Sequence, residues 1–206
     1  MTRQRSSTWM AAAMLCAATA AVGAANAATY TTILTGPKEA PPNSSTGIGA
    51  AAVQFDAGTH VLVINAAFSA LLGDSTAAHI HCCTDAPGLG AAGVATQTPT
   101  FTDFPLGVHT GAYSHSFDTS LAASWNPAFL SANGGTTAGA EAAFLAGLNS
   151  GEAYLNIHST AYPSGEIRGF LALAPANAVP EPGSFAMLSV GLPAVLMLAR
   201  RRRSKT

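Results

Sequence analysis

Residues 28–174 of this 206-residue chain predict an all-β domain, a single antiparallel β-sandwich with one or two short helices. Three observations carry that expectation. Several short runs alternate or are rich in β-branched residues, and glycine-rich turns separate them. Only one segment shows apolar residues at helical spacing. Near the end, two alternating runs flank Pro163-Ser-Gly165, the pattern of a β-hairpin.

Taken in order, Thr29–Leu34 is β-branched and reads as the first strand. Gly36–Gly49 is a loop rich in Pro, Ser and Gly. Ala50–Phe55 and His60–Phe68 follow as a strand pair joined by Asp56-Ala-Gly-Thr59. The second of these is apolar at nearly every position, which predicts a central strand buried on both faces. Ala77–Cys83 and Gly107–Phe117 are further strand candidates. Ala138–Leu148 departs from the pattern. It is alanine-rich, places Phe144, Leu145 and Leu148 at helical spacing, and stops at Asn149-Ser150-Gly151. In the final hairpin, Ala153–Phe170, alternation puts Ala153, Leu155 and Ile157 on one face and Tyr154, Asn156 and His158 on the other.

The two ends read as addresses. Arg3 and Arg5 precede an apolar run, Trp9–Gly23, and then Ala25-Asn26-Ala27. That is the order of a secretory signal peptide over residues 1–27, forming a signal helix that signal peptidase would remove together with Cys16. Residues 175–206 carry Pro180-Glu181-Pro182, an apolar run Phe185–Ala199 expected to form a hydrophobic helix, and Arg200, Arg201, Arg202 and Arg203. The run is short for a membrane span, and the arginines predict a cytoplasmic end. These parts, in this order, closely resemble a PEP-CTERM sorting signal. The resemblance implies a Gram-negative bacterium, transient anchoring in the inner membrane through the C-terminal helix, and an exosortase-type processing enzyme as partner. The destination is then the cell envelope, surface or extracellular matrix.

The middle of the chain holds two basic residues, Lys38 and Arg168, against nine acidic ones, a net charge of −7 with histidine neutral. An acidic domain without a basic stripe argues against nucleic acid as a partner. No Gly-x-Ser-x-Gly elbow, ordered triad or phosphate loop appears, so no catalytic residue is assigned.

His79 and His81 are two apart and share one face of a strand, and His158 lies opposite the apolar face of its own strand. Three imidazoles so placed would suit copper or zinc, and the alternative is histidines hydrogen-bonded to backbone. His109 and His115 are candidates for a fourth ligand. Cys82 and Cys83 are the cysteines left after signal cleavage, and an oxidising compartment predicts that they do not stay as two free thiols. A disulfide between these neighbours is slightly favoured over pairing between chains or metal ligation. Arg168 reads as an ion-pair partner of Glu166 or Glu152, a structural part of the hairpin together with Pro163, Gly165 and Gly169.

His79-Ile-His81, Ala153-Tyr-Leu-Asn-Ile-His158 and Tyr162-Pro-Ser-Gly-Glu-Ile-Arg-Gly169 resemble the signature of the CHRD domain, first described in chordin. Leu34-Thr-Gly-Pro-Lys-Glu-Ala-Pro-Pro42 and Gly47-Ile-Gly49 are similar to its start. Cys82-Cys83 and the long stretch Pro99–Gly135 depart from it. The resemblance implies an extracellular β-sandwich, immunoglobulin-like or superoxide-dismutase-like, and so a fold and a location more than a function; the favoured expectation is a non-enzymatic binding or matrix module for a surface protein, a glycan or itself. His79, His81 and His158 also resemble, in order and type, the strand-borne ligands of copper,zinc superoxide dismutase, which implies the alternative of a redox metal site. The metal-bridging histidine and zinc-binding aspartate of that family have no counterpart here.

Overall fold

The computed structural model describes residues 27–175. The expected signal helix and C-terminal hydrophobic helix lie outside them. No helix among the described residues is long and apolar enough to cross a membrane.

Eight strands form among the described residues: β1 Ala28–Thr35, β2 Ile48–Asp56, β3 Val61–Ser69, β4 Ser75–His81, β5 Gly111–Asp118, β6 Tyr154–Ser159, β7 Ile167–Phe170 and β8 Ala172–Leu173. All their pairings are antiparallel. The expected sandwich of separate facing sheets is here one hydrogen-bonded path, β4-β6-β7-β1-β2-β3-β5, with β8 on β1. The reason lies in β1. One edge pairs with β2 along its whole length, while the other takes β8 at Tyr30–Leu173 and β7 only at Thr35–Arg168. That single-residue junction joins two wings, and the sheet curls as a half-barrel around one core.

The core draws on both wings. Tyr30, Val53, Phe55, Leu62 and Ile64 come from one, and Ile80, Leu155, Ile157 and Ile167 from the other. β3 is central, between β2 and β5, but only one of its faces is buried. Leu62, Ile64, Ala66 and Phe68 point inward, whereas Val61 and Asn65 are exposed because no second layer among the described residues covers that face. The same outward face leaves Ile33 and Ile48 half-exposed.

Two helices close the core. α1, Pro127–Ala132, starts on Asn126, whose side chain accepts from Ala128 N–H. α2, Thr137–Ser150, is capped by Thr136 and ends at a left-handed Gly151. Ala140, Phe144, Gly147 and Leu148 form its buried stripe, with Phe144 edge-on to both Phe55 and Trp125.

Candidate metal centre

The register of β4 against β6 sets the site. Ala77 pairs with His158, His79 with Asn156 and His81 with Tyr154. Ala78, Ile80, Leu155 and Ile157 therefore turn into the core, and His79, His81 and His158 share the opposite face. Their ring centroids lie 5.9 Å (His79–His81), 5.2 Å (His79–His158) and 6.2 Å (His81–His158) apart.

Each ring is oriented by one backbone carbonyl. His79 Nε2 meets Pro99 O at 2.5 Å, His81 Nδ1 meets Ala92 O at 2.8 Å, and His158 Nδ1 meets Pro163 O at 2.9 Å. A carbonyl only accepts, so each of these nitrogens carries the N–H. The other nitrogen of a neutral ring then bears a bare lone pair. Those nitrogens, His79 Nδ1, His81 Nε2 and His158 Nε2, are all enclosed and have no hydrogen-bond partner. One donor nitrogen from each ring lies within 4.8 Å of the others. Burial holds all three rings below the ordinary histidine range, His81 at about 4, so they stay neutral.

The covering segments explain that burial. Ala95 N–H donates to Ile80 O, and Phe101 N–H donates to Ala78 O, so residues 93–101 run along the free edge of β4. They supply the Pro99 carbonyl, and the neighbouring Ala92 supplies the one on His81. His81 also stacks on Tyr154 at 4.7 Å, and the Tyr154 hydroxyl meets the backbone of Ala92.

His109 and His115 stand apart from this trio. His109 pairs with Asp74 at 3.1 Å, and His115 stacks on Tyr113. Cys82 and Cys83 are bonded to each other and pack against Gly147 of α2.

The expected partnership of Arg168 with Glu166 or Glu152 is not what forms. Fully buried Glu166 accepts from Ser45 Oγ at 2.5 Å and from Leu72 N–H at 2.6 Å, tying two loops to the hairpin. Burial raises its pKa, but hydrogen bonds from Ser159, Ser45, Leu72 and Gly73 outweigh it and leave the carboxyl below its usual range. Arg168 instead donates through Nε to Lys38 O and lies 3.9 Å from Glu39. Its guanidinium covers the Tyr154 ring at 4.7 Å. Gly165 adopts φ 132° beside Asn156 and Glu39, a conformation and a space that exclude a side chain. Gly169 lies against Thr32 and Ile33 of β1. Sequence reasoning missed Glu39, which sits in a loop without periodicity, and the carbonyls that aim the three rings.

Fold and site together define an antiparallel β domain that carries a loop-covered cluster of three neutral imidazoles on one wing of its sheet. The family model for the CHRD domain matches residues 30–171, and the chain belongs to that family. CHRD domains are typically found in extracellular and secreted proteins. Neither the curated proteins nor the solved structures contain a match.

Proposed function

We propose that this chain is an exported CHRD module of the bacterial cell envelope that binds one copper or zinc ion through His79, His81 and His158. The observation that carries the metal is the set of three enclosed, unpartnered imidazole nitrogens, each opposite a carbonyl-fixed N–H. Leaving three acceptors buried without donors costs about 1–3 kcal/mol each, and one cation would satisfy them together. Three imidazoles without a thiolate or carboxylate suit zinc or copper and leave a fourth position open. Coordination at about 2.0–2.1 Å needs three nitrogens that can meet at one point, and one nitrogen of each ring already lies within 4.8 Å of the others. The module is a binding protein first. The superoxide-dismutase-like alternative adds turnover at the open position.

Export and sorting rest on sequence. The signal-peptide pattern of residues 1–27 and the Pro180-Glu181-Pro182 tail with its four arginines support passage across the inner membrane and exosortase processing. The domain outside would then act as a surface or matrix component.

Elemental mass spectrometry of the purified full-length protein tests the metal, beside a variant with His79→Ala, His81→Ala and His158→Ala. The expected result is one copper or zinc per chain, absent from the variant. Equal metal in the two proteins after loading would overturn the reading. A superoxide-decay assay on the loaded protein then separates binding from turnover.

A further inference from the structure

A second polar cluster lies on the same wing, beyond Asn156, and the metal reading does not use it. A cleft of about 530 Å3 is walled by Pro37, Pro41, Leu89 and Phe170, with Arg168 and Glu39 at its base. That volume suits a small organic ligand. Both charged residues are more than nine-tenths buried. Lys38, also at the cleft, is exposed and gives one of its three ammonium N–H groups to Ile33 O at 2.7 Å, so Arg168 is the buried cation there.

The state of Arg168 is the telling feature. Buried arginines ordinarily end in a bidentate carboxylate. Here only Nε is hydrogen-bonded, to a backbone carbonyl, and the nearest approach to Glu39 is 3.9 Å, beyond hydrogen-bond reach. Among the described residues no protein group hydrogen-bonds the two terminal nitrogens. They are not among the enclosed unpartnered atoms, and Arg168 is one of the residues lining the cleft. Glu39 Oε1, by contrast, is enclosed and unpartnered. Burial raises the Glu39 carboxyl to about 7 even with Arg168 beside it, so much of it carries a proton near neutrality.

We propose that this cleft binds a carboxylate borne on an apolar group, with the free fork of Arg168 taking the carboxylate and the proline and phenylalanine walls taking the apolar part. The chemistry is shared by a free aryl or alkyl acid and by the C-terminus of a peptide ending in an apolar residue.

Calorimetry and ligand-observed NMR on the full-length, chelator-treated protein test this with three probes: phenylacetate, its amide phenylacetamide, and N-acetylphenylalanine. Phenylacetate is expected to bind saturably, and the uncharged amide roughly tenfold more weakly or not at all. Arg168→Lys, which keeps the charge but not the fork, should lose about tenfold, whereas His79→Ala should leave affinity unchanged. Tighter binding of N-acetylphenylalanine assigns the site to a peptide terminus, and tighter binding of phenylacetate to a free acid. Equal affinity for acid and amide overturns the proposal on wild-type protein, whatever the variants do. So does no saturation of any probe by about 10 mM. Loss of binding in His79→Ala also overturns it, by moving the carboxylate to the imidazole cluster.

Discussion

Glu166 shows how one side chain can hold a β domain's loops in place. It is fully buried in the last hairpin and gathers the Ser45 hydroxyl with the Leu72 and Gly73 amides. Those donors come from the loop before β2 and from the turn before β4. Charge-assisted bonds of this kind contribute about 1.5–3 kcal/mol each, more than neutral ones. Glu166→Gln keeps the shape but replaces one acceptor oxygen with a donor aimed among donors. The expected loss is about 2–4 kcal/mol in urea unfolding, with the midpoint shifted and the slope unchanged. A loss under about 1 kcal/mol would show that the carboxylate does not tie the loops. Arg168→Lys should cost less, because lysine keeps the charge, the 3.9 Å approach to Glu39 is not a hydrogen bond, and what is lost is one Nε bond to Lys38 O and part of the cover over Tyr154.

At the scale of elements, α2 is set by how closely it approaches the Cys82–Cys83 disulfide. A Cβ on Gly147 would overlap both sulfur atoms, and the bond between them prevents either from swinging aside. Alanine in an open helix position gains about 1 kcal/mol over glycine, while overpacking a core costs about 1–3 kcal/mol. The overlap with two tethered atoms decides the sign. Gly147→Ala is expected to lower Tm by several degrees, about 2–4 °C per kcal/mol for a domain of this size. An unchanged or higher Tm would place the helix away from the sulfurs. This contact was not legible in the sequence, although its parts were. The core-facing alternation of the strands and the 144–148 spacing of α2 follow from local periods, which a sequence displays directly. The imidazole trio was legible for the same reason, since two strands of period two put His79, His81 and His158 on like faces. What lay hidden is non-local. Arg168 meets Glu39 across the β1–β7 junction, and the carbonyls of Ala92 and Pro99 come from a loop with no period to read. The curl into one sheet was hidden too, because a one-residue pairing at Thr35 leaves no pattern.

For the whole molecule, pH acts through two opposed sets of groups. Burial raises Glu39 to about 7, so its contribution is full below about 4.5 and is lost as pH rises through 7. The three metal-site histidines are lowered by burial, so the metal-free protein loses stability as pH falls below 6.5. A third contribution joins two parts of the fold and can be isolated. His60, in the turn between β2 and β3, pairs with buried Glu141 of α2 at 2.9 Å, and Thr119 donates to the same carboxylate. The Glu141 hydrogen bond, then its charge, raises the His60 pKa above the ordinary 6.5. A raised histidine stabilises fully below its unfolded pKa, and that stability disappears as pH climbs through the folded one. The window therefore opens at 6.5 and extends upward, clear of the imidazole trio. His60 also sits at φ 59°, so Asn, which tolerates that conformation, is the substitution that removes the charge without backbone strain. The Tm difference between wild type and His60→Asn is expected to be largest near pH 6 and to shrink steadily toward pH 9. A difference that stays constant across that range would mean that the His60–Glu141 contact holds α2 to the hairpin as a neutral hydrogen bond, with no protonated imidazole involved.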